Sequence, residues 1–150
     1  MIKKNSSLIK LLVVFLLLES NVDAKQLNNF DKGLKLFENE KFEESKILFE
    51  RDIVFNPKNE RSYLYLAKIF KRKNEEEEEE INLNNVLLIN PQNDEAIYML
   101  ALLKIKQSDY NHAKKLIDTF ILVCKSFCLK KDEMQDKFKK LIPENAKDNN

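Results

Sequence analysis

Glycine is almost missing from this chain: Gly33 is the only one in 150 residues. A loop that cradles phosphate needs several residues free to take positive φ so that backbone amides can approach a ligand, and the usual nucleotide-binding chemistries are therefore excluded. Histidine is equally scarce. His112 stands alone, and one imidazole builds neither a histidine metal cluster nor a Ser-His-Asp arrangement with its supporting partners. The sequence thus predicts no catalytic residue, no metal site and no cofactor. Strand patterning is lacking as well, because the apolar residues recur at intervals of three and four rather than two. Nearly all of the folded part should be helix.

Long apolar runs are also absent. The N-terminal run, Leu11 to Leu18, spans eight residues, against the roughly 20 that a helix needs to cross a bilayer. Lys3 and Lys4 precede this run, and Val22-Asp23-Ala24 follows it with small or aliphatic residues, the layout of a secretory signal peptide over residues 1–24. The expected location is then exported, periplasmic or envelope-associated. The alternative is an uncleaved anchor, supported by the acidic Glu19 and Asp23, which would make this segment the only contact with a membrane. Beyond residue 24 there are 23 basic and 23 acidic residues. The charge is divided, with 12 basic against 16 acidic over 25–103 and 11 against 7 over 104–150, a distribution that predicts no nucleic-acid partner.

What the chain does have is a period. Asn56-Pro57-Lys58-Asn59 returns 34 residues later as Asn90-Pro91-Gln92-Asn93, a spacing characteristic of a helix-turn-helix unit that must stack on its neighbours to bury its apolar face. Aligned on the prolines, the units are 26–59, 60–93 and 94–127. In the first, Phe30, Gly33, Leu34 and Phe37 share a helical face, and Phe42, Ile47, Leu48, Phe49, Ile53 and Phe55 form the apolar side of a second helix, as Ile81, Leu83, Val86, Leu87 and Ile89 do in the second unit. Tyr63, Leu66, Ala67 and Phe70 repeat the first pattern, as do Ile97, Leu100, Ala101 and Leu103. Residues 128–142 read as an amphipathic helix carrying Leu129, Met134, Phe138, Leu141 and Ile142, suited to capping the open end of the last unit. A basic helix lying on a membrane surface is the alternative. Pro143 ends it, and 143–150 should be a disordered tail.

At these positions the chain resembles the tetratricopeptide repeat (TPR) family. The second unit shows Tyr63, Leu66-Ala67, Phe70, Leu83 and Pro91; the third shows Leu100-Ala101, Tyr110, Ala113, Ile117 and Phe120; the first shows Gly33, Leu36, Phe42, Phe49 and Pro57. Ser45 and Asp52 stand where the family favours alanine, Glu76 and Glu79 where it favours an aromatic and alanine, and Lys125 where it favours proline. The resemblance implies an all-α, right-handed superhelix of about three units with a C-terminal capping helix over 25–142. It also implies a protein-protein interaction scaffold, not an enzyme, that holds a peptide or helix of a partner against a concave groove made by the first helix of each unit.

Projection of those helices assigns to the groove Phe30, Leu34 and Phe37, then Arg61, Leu64, Lys68, Lys71 and Arg72, then Tyr98, Leu102 and Ile105. A basic middle between apolar ends suits a partner segment with carboxylates flanked by apolar side chains. The competing reading makes the cations a solvated helix face and the aromatics core. The asparagines of the family's carboxylate clamp are absent. Self-association through the apolar part of the same face is the alternative function, giving a homo-oligomeric assembly element.

Three further features bear on the fold. Asp52, in place of a small residue, should loosen the packing of the first two units. Glu75 to Glu80 crowds six carboxylates at the start of a helix, which should fray more easily than its equivalents. Cys124 and Cys128 are the only cysteines; on an unbroken helix a bridge between them would strain the backbone, so free thiols are preferred to a disulfide although an oxidising compartment favours the bridge.

Overall fold

The computed structural model describes residues 28–141, so the signal segment 1–24, Ile142 of the expected capping helix and the tail 143–150 lie outside the described residues. Among the described residues there are seven α-helices, one 3-10 turn and no strand. The helices are α1 (Asn29–Glu38), α2 (Phe42–Phe55), α3 (Glu60–Lys73), α4 (Glu76–Ile89), α5 (Asp94–Lys106), α6 (Tyr110–Val123) and α7 (Lys131–Leu141), with the 3-10 turn at Cys128–Lys130 before α7. The pairs α1–α2, α3–α4 and α5–α6 fall within residues 26–59, 60–93 and 94–127 and stack in chain order. The molecule is an all-α helical-repeat solenoid.

Local chemistry sets these boundaries. Asn28, Asn59, Asn93 and Asp109 each accept a hydrogen bond from a backbone N–H in the first turn of the helix that follows, satisfying donors that have no intrahelical partner. The turns inside the three units are built alike: Glu40, Asn74 and Ser108 take φ of 60°, 56° and 60°, and each stands 34 residues from the next. None is glycine. The single glycine is spent on close approach, since a Cβ on Gly33 would lie 2.9 Å from Cε1 of Phe49 and 3.3 Å from Cβ of Leu48. That contact seats α1 on α2, where Ser45 donates a 2.8 Å hydrogen bond to the Gly33 carbonyl.

Two apolar clusters fill the stack. Phe30, Phe49, Leu66, Ile69 and Phe70 join the first unit to the second, while Ala67, Leu83, Val86, Ile97, Leu100, Ala113, Ile117 and Phe120 continue through the third. Met134 of α7 is fully buried in the second cluster and Phe138 packs against it, so α7 closes the last unit. The cap departs from its sequence reading at the start, where Cys128–Lys130 is a 3-10 turn and Leu129 is 96% exposed.

Two expectations are corrected, for Asp52 and for the cysteines, and the acidic run proves to be partly compensated. Asp52 does not loosen the joint between units. It is 1% exposed and its carboxylate accepts from Asn56 Nδ2 at 3.1 Å, Asn59 Nδ2 at 2.7 Å and Ser62 Oγ at 2.6 Å, tying the end of α2 to the start of α3. The acidic run is relieved by cations, with Glu75 on Lys73 at 3.0 Å, Glu76 on Lys106 at 2.7 Å and Glu80 on Lys104 at 2.5 Å. Cys124 and Cys128 form a disulfide. The helix on which a bridge would be strained ends at Val123, and Cys124 adopts an extended ψ of 140°, which frees the loop to close.

Candidate functional site

The first helices α1, α3 and α5 carry the eleven groove positions proposed from sequence, and the structure separates them into two kinds. Phe30, Leu64 and Tyr98 occupy one register, 34 residues apart, and that row turns inward: they are 3%, 7% and 8% exposed. Phe30 packs on Phe49 and Tyr65 with ring centroids 5.6 and 5.9 Å away, and Leu64 lies in the second cluster. These two support the groove wall and do not present a surface to a ligand, which corrects their assignment. The next row, Leu34, Lys68 and Leu102, is half-buried.

Seven of the remaining nine positions converge, the exceptions being Leu34, which packs against the first apolar cluster, and Arg61. A cleft of about 390 Å³ is lined by Phe37, Lys68, Lys71, Arg72, Tyr98 and, beyond the sequence reading, Glu95, Met99 and Phe127. A neighbouring cleft of about 420 Å³ is lined by Lys71, Leu102 and Ile105 together with Asn74, Glu79, Leu103, Lys106 and Lys137. Lys71 belongs to both. Ile105, though buried, forms part of the second floor. Arg61 lies outside either cleft and stacks its guanidinium 4.2 Å from the Phe30 ring.

The cations of this face are not equivalent. Lys68 is neutralised by Glu95, 2.7 Å away, and also lies 4.6 Å from the Tyr65 ring. Lys106 and Lys137 pair with Glu76 and Glu133 at 2.7 and 2.9 Å. Arg72 stacks over Phe42 at 4.6 Å and Phe37 at 5.7 Å, contacts that fix its plane while leaving its N–H donors available. Among the described residues neither Arg72 nor Lys71 has a carboxylate within ion-pairing distance, and Lys71 is exposed at the junction of the clefts. Glu79, on the second cleft, is pushed up from the ordinary carboxylate range by burial, against the pull of Lys71 and Lys106.

The wall contributed by Phe127 is held by an arrangement that sequence reasoning missed. One carboxylate oxygen of Asp94 accepts from the backbone N–H groups of Lys125, Ser126 and Phe127 at 2.7, 2.6 and 2.9 Å. Burial pushes that carboxyl up, but these three donors and the N–H of Glu95 outweigh it and hold the group below its ordinary 3.8. The Cys124–Cys128 bridge closes the same loop, and Phe127 comes to rest 5.9 Å from the Tyr98 ring.

No family model matches the sequence, and no curated protein matches it. Solved structures do match its backbone. The TPR domain of Arabidopsis OM64 agrees with a TM-score of 0.69 at 15% identity, over 76% of this chain and 93% of that one. The fold is a TPR-like solenoid. The TPR2B domain of yeast Sti1, solved in complex with pHsp70, gives 0.67 at 16% identity over 73% and 92% of the two chains. The Yersinia enterocolitica type III secretion translocator chaperone SycD gives 0.68 at 11% identity over 85% and 90%. At these identities the likeness concerns the TPR-like fold alone, and the groove is argued from its own side chains.

Proposed function

We propose that this chain is a non-catalytic binding scaffold whose groove holds a short segment of a partner protein, carboxylates on Lys71 and Arg72 and apolar side chains in the two clefts beside them. One observation carries the reading: Lys71 is an exposed cation with no ion pair, standing where two apolar-floored clefts meet. An unpaired ammonium there gains a charge-assisted hydrogen bond from an incoming carboxylate without first giving one up, while Leu102, Ile105, Tyr98 and Met99 offer apolar contact on either side. The yeast neighbour solved in complex with pHsp70 supports a peptide as the occupant of such a groove. The basic-apolar N-terminal segment supports an exported, envelope setting, and the disulfide fits an oxidising compartment.

The test uses a random peptide library displayed on phage and selected against the protein. Selected peptides should pair acidic with apolar residues, and Lys71→Glu should weaken the synthesised peptides by at least tenfold with far-UV circular dichroism unchanged. Lys68→Glu is a poorer probe because it also breaks the pair with Glu95. Selection of peptides without acidic residues, or retention of affinity in Lys71→Glu, would remove the reading.

A further inference from the structure

The second helices carry an unexplained pattern on the face away from the groove. Val54, Leu88 and Leu122 stand 34 residues apart, one on each of α2, α4 and α6, and are 74%, 81% and 84% exposed. Two helical turns earlier, Ile47 and Ile81 are 54% and 52% exposed on the same lines, since seven residues return a side chain to nearly the same azimuth; the sequence pattern assigns both, with the exposed Phe55, to the packing side, and the structure corrects this. An apolar side chain exposed once needs no explanation, but these repeat with the period of the fold. Their exposed surface amounts to roughly 600 Å², at the upper limit of the largest patch on an ordinary monomer.

We infer that this ridge is a self-association surface that joins two copies of the chain about a two-fold axis. The axis passes through α4 between Asn84 and Asn85, perpendicular to the ridge. The rotation exchanges the first and third units and reverses helix direction, so Ile47 meets the partner's Leu122 and Ile81 meets the partner's Leu88. Val54 faces the aliphatic stem of the partner's Lys115, and Asn84 faces the partner's Asn85. Arg51 is exposed on α2 and Asp118 on α6, and neither has an ion pair among the described residues. They lie one residue apart in register on opposite flanks of the ridge, on α2 and α6, with α4 between them. The rotation brings Arg51 to the partner's Asp118, twice. That charge match singles out this pairing, as an isologous interface requires each residue to serve in both roles.

The area agrees with a dimer. Two ridges bury at most about 1,200 Å² together, and Arg51, Asn84, Asn85, Lys115 and Asp118 add to it, which reaches the lower end of the range for specific, stable interfaces. A lipid surface is a poorer occupant, because exposed Glu77 and Glu78, which have no ion pair among the described residues, border the upstream edge and oppose anionic headgroups. The surface is independent of the groove, so its failure would leave the proposed peptide site untouched. It also moves self-association from the groove, where the sequence alone placed it, to the opposite face.

Sedimentation equilibrium on the full chain tests the proposal. The wild type should show twice its 17.8 kDa mass, and Leu88→Glu, which puts two carboxylates near the axis at the centre of the interface, should weaken the dimer at least a hundredfold with helicity unchanged. Arg51→Asp and Asp118→Arg should each weaken it about tenfold, and the double reversal should return affinity to within about threefold of the wild type. The reversals keep the test decisive if Leu88→Glu misfolds, and association through the apolar N-terminal segment would ignore them. A monomer at every concentration, a dimer indifferent to Leu88→Glu, or a double reversal without recovery would each overturn the inference.

Discussion

Replacing Asp52 with alanine separates two accounts of the joint between the first and second units by the sign of the effect. The family pattern treats Asp52 as an intruder at a small-residue position, so alanine should tighten the stack and raise stability. The structure says the reverse. Asp52 is 1% exposed and accepts from Asn56, Asn59 and Ser62 across the α2–α3 connection. Hydrogen bonds to a charged group contribute about 1.5–3 kcal/mol each, and a buried donor left alone costs about 1–3 kcal/mol. Asn56 is exposed and Asn59 half-buried, so both can turn to water, but the Ser62 hydroxyl is fully buried. Relief from burying a carboxylate offsets part of the loss. The net expectation for Asp52→Ala is a loss of about 2 kcal/mol, which at a urea slope near 1.5–2 kcal/mol/M lowers the midpoint by about 1 M. Urea denaturation followed by circular dichroism reads this directly. Adding Ser62→Ala should recover about half, because the stranded hydroxyl goes with it. An unchanged or raised midpoint in Asp52→Ala would refute the argument.

Gly33→Ala should destabilise by about 1–2 kcal/mol in the same assay, because the crowding against Phe49 exceeds the helix-propensity gain of about 1 kcal/mol; a more stable variant would show that the ring yields. Ser108→Gly should stabilise by about 0.5 kcal/mol, since φ of 60° strains serine more than glycine loses in unfolded-chain entropy. Asp94→Asn should destabilise, with a pH signature: a carboxyl held below its ordinary 3.8 contributes stability that is full above the unfolded value and is lost as pH falls through the folded one. The gap between wild type and variant should therefore be widest above about pH 5 and close below pH 4, whereas a constant gap would assign the effect to shape alone.

Much of this architecture was legible because a 34-residue period is a geometric statement. It fixed the register in which Glu40, Asn74 and Ser108 make equivalent turns, and in which Ala67 and Ala101 sit buried. The period does not say which register row turns inward, and so Phe30 and Leu64 were placed in the groove although stacking of neighbouring units buries them. Glu95 was findable: it shares its register with Arg61, and opposite charges in adjacent first helices suggest contact, although its partner proved to be Lys68. Asp52 departs from the family's small-residue preference, and its role follows instead from the Asn59 and Ser62 that the next helix start supplies. Nothing in the sequence foretold Phe127 or the loop around Asp94, since both lie where the repeat loses its proline and local hydrogen bonding takes over.

The most direct test of the central claim is a residue-by-residue map of where a selected acidic-apolar peptide binds, read from amide chemical shifts of the labelled protein during titration. The account predicts shifts concentrated on Lys68, Lys71, Arg72, Tyr98 and Leu102, abolished in Lys71→Glu. Shifts confined to α2, α4 and α6, or a pattern indifferent to Lys71→Glu, would contradict it.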